Sequence, residues 1–324
     1  MTDANRSDPV SPVHGILLLD KPPGLSSNAA LQRVRRLFGR PTAGHTGSLD
    51  PLATGMLPIC LGEATKIAGL LLGASKAYET EVELGRRTAT GDAEGEVIDE
   101  APVPPLTRTV VEERLVKLVG PLEQRPPMYS AVHVNGRRLY QLARQGLEVD
   151  RPARTVHIRS IELEDFTAPR LRLRVVCSTG TYIRTQAESI AEALGTVGYV
   201  TRLRRLWVEP FANDRMHTLE ELEEAATAGS QALFRLLLPI ERALAGTDEV
   251  QLDADNTRRL AQGQRVPMQG ESGLKAVYGP DRRVLGLAEL SADGFLHARR
   301  LFTWAIGSMA CVQPMPVESI PDRR

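Results

Sequence analysis

Several segments of the chain repeat apolar residues at a regular period, and the period of each segment predicts its secondary structure. The continuous apolar run at residues 16–19 predicts a buried strand that ends in a Pro-Pro-Gly turn. Residues 27–38 place apolar side chains at helical spacing, which predicts a helix capped by Ser26 or Ser27 and ended by Gly39. Residues 76–85 alternate apolar and polar side chains, as a half-buried strand does.

The later segments mix strands and helices without the regular spacing of repeated βαβ units. Residues 154–166 and 171–178 predict two strands, 181–195 a helix, and 199–211 another extended segment. We therefore expect an α+β fold built on a mixed, largely antiparallel sheet. After residue 247, short alternating segments separated by Gly-Pro-Asp and Ala-Asp-Gly turns predict a small all-β domain.

These patterns divide the chain into four parts. Residues 1–12 are expected to form a disordered tail, 13–246 the main domain, 247–312 the β domain and 313–324 a second disordered tail. The first residues lack the charged and apolar regions of a secretory signal, and no apolar run approaches the roughly 20 residues of a membrane helix. A protein of the cytoplasm is expected.

Composition narrows the chemistry further. The 324 residues include 40 Lys and Arg and 40 Asp and Glu, so the chain is not basic overall, unlike a simple electrostatic RNA binder. Arginines nevertheless cluster at residues 33–40, 137–144 (Arg137, Arg138 and Arg144) and 202–205, which predicts a basic face, although a solvated surface explains each cluster taken alone. Cys60, Cys177 and Cys311 lie far apart and form no CxxC pair, which argues against a zinc site or a disulfide framework.

The loop GHTGSLDPLATG at residues 44–55 is the segment whose chemistry is hardest to assign from composition. It is not a phosphate loop of the Walker type, because no Lys follows its second Gly. His45 and Asp50 alone do not complete a metal shell. A structural Asp-Pro turn remains open for Asp50 considered in isolation.

Six segments together resemble the bacterial TruB-type tRNA pseudouridine synthases, in the same order along the chain. They are DKPPGLSSN (20–28), GHTGSLDPLATGMLPICLGEATK (44–66), KAYE (76–79), PPMYSA (126–131), RRLYQLARQG (137–146) and GTYIRT (180–185). The resemblance extends to about residue 208, and the 44–66 segment is highly specific. The C-terminal segment is similar to the small PUA-type RNA-binding domain of such proteins.

The resemblance implies both fold and activity. It implies the pseudouridine-synthase fold followed by a PUA-like domain, and isomerisation of the T-loop uridine of tRNA, position 55, to pseudouridine. It implies no cofactor and no metal. The expected partner is the T-stem-loop of tRNA, with no membrane, no obligate protein partner and a monomeric state.

The resemblance also implies roles for eight residues. Asp50 matches the nucleophile, a role for which a single carboxylate suffices. Arg184 matches the arginine that faces this aspartate, and Tyr78 the active-site tyrosine, whose phenol needs help to act as a base at neutral pH. The expected substrate contacts are His45, Tyr182 and Leu203, together with Lys21 and Lys66 as surface contacts to phosphate.

Two other classes of function stay open on the sequence alone. One is an RNA-binding or tRNA-folding protein without catalysis, which the arginine clusters and the β domain would serve equally well. The other is a glycosidase or nucleoside hydrolase, which the absence of a second acid near Asp50 in the sequence disfavours.

Overall fold

The computed structural model describes residues 13–307, except Ala131, Asn135 and Arg144. The two tails predicted to be disordered, Cys311 and the predicted basic role of Arg144 lie outside the described residues. The described chain forms two compact units that divide between Ala243 and Leu244. The predicted domain limits, 13–246 and 247–312, remain a prediction.

The first unit contains twelve strands among its described residues. They are β1 (Gly15–Lys21), β2 (Ala43–His45), β3 (Thr54–Leu61), β4 (Lys76–Leu84), β5 (Arg86–Thr88), β6 (Val97–Glu100), β7 (Gly120–Gln124), β8 (His133–Val134), β9 (Arg137–Arg138), β10 (Arg154–Thr167), β11 (Arg170–Cys177) and β12 (Gly198–Val208).

Its helices are mostly short. They are α1 (Ser27–Leu37), α2 (Ala68–Gly73), α3 (Arg108–Val116), α4 (Leu139–Ala143), α5 (Ile183–Ala193), α6 (Leu219–Ala228) and α7 (Ser230–Phe234), with 3₁₀ turns at Gly62–Ile67 and at Ile240–Leu244, where the unit ends.

One mixed sheet organises the first unit. Its described strands run in the order β1-β3-β12-β4-β11-β10-β7, and β2 pairs with β3 at the side of this path. All neighbours are antiparallel except β3 and β12, which pair in parallel. The prediction of a mixed, largely antiparallel sheet is confirmed.

The core forms where helices pack on this sheet. Buried side chains of β1, β4 and β11 meet the apolar faces of α1 and α5 in one cluster, which includes Leu19, Val82, Val175, Val34 and Ile190. Helix α1 begins as predicted, with the Ser26 hydroxyl accepting a hydrogen bond from the Ala29 amide at 3.2 Å. The helices therefore fix the loops that precede and follow them, and two of these loops carry site residues.

Strand β3 is an element that the sequence analysis did not predict. Residues 54–61 carry Pro58, which normally argues against a central strand, and they follow a Gly-rich loop. The parallel pairing of β3 with β12 requires close approach at Gly55, where a Cβ atom would lie 2.1 Å from the Arg205 carbonyl oxygen. The predicted loop is consequently shorter than residues 44–55, and β2 and β3 form its two sides.

The second unit is built on a five-stranded sheet among its described residues. The strands are β13 (Asp248–Gln251), β14 (Val266–Pro267), β15 (Gly273–Tyr278), β16 (Val284–Leu290) and β17 (Phe295–Leu301), in the order β13-β15-β16-β17-β14. This confirms the predicted β domain. Two helices, α8 (Ala254–Ala261) and α9 (Thr303–Gly307), accompany the sheet, and the sequence analysis did not predict either.

Two further observations bear on the sequence analysis. Cys60 on β3 and Cys177 on β11 are free thiols buried in the main sheet. Within the part of the chain that the structure describes, no helix combines the length and the hydropathy that a membrane crossing needs.

Candidate active site

Asp50 lies on the loop between β2 and β3, and backbone contacts fix this loop. The Ser27 hydroxyl, at the start of α1, accepts from the Leu49 amide at 2.7 Å and donates to the Leu49 carbonyl at 2.9 Å. The Asp50 carbonyl accepts from the Ala53 amide at 3.1 Å, which closes a turn. The carboxylate is therefore presented by a rigid backbone, with its side chain 36% exposed.

Lys21 contacts the same loop at Pro51 and is not at the surface. Its side chain is fully buried, and its ammonium group donates to the carbonyl oxygens of Pro22 (2.8 Å), Leu25 (2.8 Å) and Pro51 (3.3 Å). Burial lowers the pKa of Lys21 to about 8, against an opposing effect of the nearby Asp50 charge. The expected surface contact of Lys21 with phosphate is wrong, because the turn after β1 folds over the ammonium group.

Arg184 binds Asp50 through two close contacts, an ion pair at Nε and a hydrogen bond from Nη2. Its Nε lies 3.0 Å from Oδ2 of Asp50, and its Nη2 lies 3.3 Å from Oδ1. Helix α5 presents this guanidinium in its first turn, where only 5% of the side chain is exposed. The planar fork thus sets the orientation of the carboxylate, as the sequence analysis expected of this pair.

The other donors of Arg184 are occupied too, one of them close to a second carboxylate. Nη1 donates to the Thr90 carbonyl at 2.7 Å and lies 3.6 Å from Oδ2 of Asp92, while Nη2 also donates to the Tyr129 carbonyl at 2.8 Å. Asp92 is buried, and its Oδ1 accepts from the Thr90 hydroxyl at 2.6 Å and from the Glu94 amide at 3.1 Å.

Asp92 corrects the expectation that no second acid lies near Asp50. In the sequence Asp92 belongs to an acidic segment of the kind that is usually solvated. The sequence does not reveal its contact with Arg184, because that contact forms only in the folded chain. Its carboxylate is engaged by the guanidinium, a hydroxyl and an amide, so it is not placed as a free general acid. Asp92 instead fixes the guanidinium that orients Asp50.

The electrostatics of Asp50 combine burial with opposing charges. Burial raises the pKa of the Asp50 carboxyl above its ordinary value, and the Arg184 guanidinium acts against that rise. The Asp92 charge adds to the rise and the Lys21 charge opposes it. Desolvation of this kind also makes an ionised carboxylate a stronger nucleophile toward an electrophilic carbon.

Asp50 and Arg184 lie between two cavities that share them. The first, of about 340 Å³, is called the tyrosine cavity here, and its lining includes Lys76, Tyr78, Tyr182, Leu203 and Arg205. Its size falls within the range of small-molecule pockets. Three residues that the sequence analysis assigned to the site, Tyr78, Tyr182 and Leu203, therefore come together with Asp50 and Arg184.

Each of these three residues lies on a different element and has different surroundings. Tyr78 is on β4 and nearly buried, and burial raises the pKa of its phenol. Tyr182 precedes α5, and its amide donates to Oε1 of Gln124 on β7 at 3.0 Å. Leu203 is 8% exposed on β12 and forms an apolar wall of the cavity.

The second cavity, of about 630 Å³, is called the histidine cavity here. Its lining includes His45 and Ser26 on one side and Thr90, Asp92 and Glu94 on the other. His45, from β2, is thus placed near Asp50, as expected of a substrate contact. Burial raises the pKa of the Glu94 carboxyl, with the Asp92 and Asp50 charges adding to the rise.

Lys66 is not brought to either cavity. It lies in the 3₁₀ turn after β3, forms a salt bridge to Glu63 at 2.8 Å, and lines a separate cavity with His14 and Phe38. Lys66 is absent from the lining of both cavities around Asp50, and its expected contact with phosphate remains a prediction.

Arg205 and Lys76 line the tyrosine cavity and were missed as site residues. Arg205 had been grouped with Arg202 and Arg204 as one basic cluster. Side chains along β12 alternate between the two faces of the sheet. Leu203 and Arg205, which pair with Thr80 and Tyr78 of β4, therefore lie on one face, and Arg202 and Arg204 lie on the other. The period of the strand was the signal that could have found Arg205.

Comparison with family models divides the chain into three matched segments. Residues 35–183 match the model of the TruB family pseudouridylate synthase (N terminal domain), and residues 184–245 match the tRNA pseudouridylate synthase B C-terminal domain. The chain belongs to the TruB family. Residues 249–302 match a third model, pseudouridine synthase II TruB, C-terminal, so the family's models also cover the second unit. The predicted family and class of enzyme are confirmed.

Curated relatives of this TruB-family chain agree with that assignment. A tRNA pseudouridine synthase B from Xanthomonas axonopodis pv. citri (strain 306) is 50% identical over 301 residues, which span 93% of this chain and 97% of the relative. A protein of the same name from Nitrosococcus oceani is 49% identical over 291 residues, covering 89% of this chain and 94% of that protein.

Solved structures extend the likeness to the fold. The archaeal box H/ACA sRNP Nop10-Cbf5 complex contains a chain that superposes with a TM-score of 0.69 at 20% identity, covering 92% of this chain and 91% of that one. A Cbf5-Nop10-Gar1 complex gives a TM-score of 0.67 at 23% identity, with 90% and 80% covered. At these identities the likeness concerns the fold alone, and the predicted pseudouridine-synthase fold is confirmed.

Proposed function

We propose that this TruB-family protein converts uridine 55, in the T-stem-loop of tRNA, to pseudouridine, with Asp50 as the nucleophile. The name tRNA pseudouridine synthase B, carried by relatives at about half identity over nearly the whole chain, supports the substrate. The observation that carries the role of Asp50 is its position between two cavities, with its carboxylate oriented by a buried guanidinium.

The reaction moves one glycosidic bond from nitrogen to carbon. The Asp50 carboxylate attacks C1′ of the ribose, the C1′–N1 bond breaks, and its electron pair leaves with the uracil. The uracil turns, C5 attacks C1′, and Asp50 departs as a carboxylate. C5 loses its proton and N1 gains one, so the product is an isomer of the substrate and needs no cofactor or metal.

Arg184 supports this sequence at two points. Its two contacts to Asp50 keep the carboxylate ionised and aimed while the site is empty of substrate. When Asp50 leaves C1′ in the final step, the same guanidinium stabilises the returning negative charge. Its contacts to Asp92, Thr90 and Tyr129 keep it in place throughout.

The uridine reaches Asp50 only if it leaves its stack in the RNA. The tyrosine cavity is large enough for one nucleobase, and Tyr78 and Leu203 provide flat and apolar surfaces for it. Tyr182 forms another wall of the same cavity. His45 contacts the RNA from the histidine cavity, on the other side of Asp50.

Phosphate contacts come from exposed arginines rather than from Lys21. Arg33, Arg36 and Arg40 are exposed on and just after α1, which begins beside the loop of Asp50. They are placed to contact the backbone of an opened loop, and their effect is sensitive to salt because phosphate binding releases counterions. The protein acts in the cytoplasm as a monomer, with no cofactor and no obligate protein partner.

A labelled transcript tests the proposal. A T-stem-loop RNA with tritium at C5 of its uridines is incubated with the purified protein, and tritium released to water is counted. We expect release from one uridine per RNA, with pseudouridine found at position 55 by sequencing. A matched transcript with cytidine at position 55 is expected to release no tritium.

Two results would contradict the proposal. Binding of the transcript without tritium release would leave an RNA-binding protein without this activity. Turnover of free uridine, with release of uracil, would instead indicate a nucleoside hydrolase.

A further inference from the structure

Arg205 is a buried cation that the mechanism above does not use. Only 1% of the residue is exposed, and its guanidinium donates to the carbonyl oxygens of Met56 (2.6 Å) and Gly47 (3.1 Å). Among the residues that the structure describes, no carboxylate forms a salt bridge with it. Arg205 therefore differs from Arg184, which has two carboxylates at the same site.

A buried guanidinium without a carboxylate is costly to the fold. Carbonyl oxygens satisfy its donors but do not neutralise its charge. Transferring a charged group from water into a protein interior costs roughly several kcal/mol. A second buried cation, Lys76, lies close enough to repel it, and this repulsion helps burial to lower the pKa of Lys76 to about 8. A contribution to the stability of the fold does not explain why two buried cations, Arg205 and Lys76, line one cavity.

The register of the sheet places Arg205 directly opposite Tyr78. The two residues are Cα partners across β12 and β4, so their side chains project to the same face of the sheet and into the tyrosine cavity. The guanidinium is close enough to the phenol to oppose the rise that burial causes in the pKa of Tyr78. Because so little of Arg205 is exposed, its charge acts on Tyr78 and not on a phosphate of the RNA.

We propose that Arg205 is a positioning residue for Tyr78, whose guanidinium orients the phenol hydroxyl and stabilises the phenolate that forms during the reaction. The inference rests on the proposed function, since it assigns Tyr78 a proton-transfer role in that isomerisation. The proton balance is closed: Tyr78 gives its hydroxyl proton to N1 of the detached uracil. After C5 has bonded to C1′, the phenolate oxygen takes the C5 proton, and the electron pair of the C–H bond restores the ring.

The charges around Tyr78 agree with this timing. Burial raises the pKa of the phenol, and the positive charge of Arg205 opposes the rise. Of the other groups that face Tyr78, Cys177 on β11 and Asp50 on its loop both add to the rise. Once Asp50 is bonded to C1′ its charge is gone, so phenolate formation becomes easier at the stage that needs it.

The first test measures the titration of Tyr78 without any RNA. The ultraviolet difference between the native chain and Tyr78→Phe isolates this tyrosine from the other five. The same difference is then taken in an Arg205→Gln background. We expect Tyr78 to ionise at higher pH in that background, whereas an unchanged titration would overturn the inference even if the protein proves inactive on tRNA.

The second test separates positioning from a merely structural role. With the tritiated transcript, Arg205→Gln is expected to lower kcat by about 100-fold at neutral pH, the low end of general acid–base effects, and to change KM by less than about threefold. The basic limb of the pH profile of kcat should move to higher pH, because the first transfer needs the Tyr78 proton and the pKa of Tyr78 rises without Arg205. In a Tyr78→Phe background the same substitution should cost less than about threefold.

Equal losses in both backgrounds, or a loss confined to KM, would overturn the inference. Arg172→Gln serves as the matched control, since Arg172 lies on β11 with half of its side chain exposed and lines neither cavity around Asp50. If Arg205→Gln does not fold, Arg205→Lys takes its place. It keeps the charge but loses the fork, and we expect a smaller loss of kcat with a smaller shift of the basic limb.

Discussion

Two buried arginines line the cavity that holds Asp50, and they have different partners. Arg184 contacts the carboxylates of Asp50 and Asp92, and two carbonyl oxygens accept its remaining hydrogen bonds. Arg205 bonds two carbonyl oxygens and faces the phenol of Tyr78. One guanidinium is thus neutralised before substrate arrives, and the other carries a charge that is still uncompensated.

The difference indicates two kinds of catalytic support. A neutralised arginine fixes the geometry of a nucleophile that is already ionised. An uncompensated arginine stabilises negative charge that appears only during the reaction. Substitutions on the Arg184 side should therefore affect the attack on C1′, and substitutions on the Arg205 side should affect the later proton transfer.

Among substitutions that keep the Asp50 carboxylate, Arg184→Lys is expected to have the largest effect. Lysine keeps the charge but cannot hold Asp50 at two points while bonding Thr90 and Tyr129, so we expect the single-turnover rate of tritium release to fall by about 10³-fold. RNA affinity, measured by filter binding, should change little. A loss of less than about tenfold would show that charge alone, without the fork, orients Asp50.

Asp92→Asn should have a smaller effect than Arg184→Lys. The amide keeps the shape of the side chain but loosens the guanidinium that orients Asp50, and we expect kcat to fall by about 30-fold, as for other groups that hold a catalytic residue in place. Glu96→Gln, on the same segment but exposed, is the control. An unchanged kcat would mean that Asp92 is dispensable for the geometry of Arg184.

The pH profile separates the two sides of the comparison. Asp50 must be ionised to attack C1′, and its pKa is raised, so activity should be lost as pH falls through a value above the usual aspartate range of about 3.9. Asp92→Asn removes a neighbouring negative charge that adds to this rise. It should therefore move the acid limb of kcat to lower pH, and a shift to higher pH would contradict the assignment of that limb to Asp50.

The smallest effect on chemistry is expected from Lys21→Met. Lys21 resembles Arg205 in bonding only carbonyl oxygens, but it lies behind the loop and lines neither cavity around Asp50. We expect the free energy of unfolding to fall by about 3 kcal/mol in urea denaturation, because three carbonyls lose their donor, with kcat changed by less than about fivefold. An unchanged stability with a raised KM would restore the phosphate contact expected from the sequence.

A site residue could be predicted from the sequence when it lies in a recognisable motif. Asp50, Tyr78 and Arg184 lie in three separate motifs, and the resemblance located each of them before any contact between them was known. Their convergence has a simple cause: the loop, the strand and the helix that carry them all meet at one face of the sheet.

The residues that sequence reasoning missed or misplaced depend on tertiary contacts. Lys21 is the last residue of β1, and its sequence position does not reveal that the following turn folds over its ammonium group. Asp92 lies in an acidic segment, and it is buried because that segment pairs with β12 at Val200 and its carboxylate reaches Arg184 on α5. Arg205 was grouped with Arg204, although the two project to opposite faces of β12.

The central claim, that Asp50 is the nucleophile of an isomerisation on the T-stem-loop, is tested most directly by Asp50→Asn. Single-turnover tritium release from the labelled transcript is measured for the native chain and for this variant, with RNA affinity determined in parallel. The account predicts full binding and no release, because an amide does not attack C1′. Release at a rate near that of the native chain would contradict it.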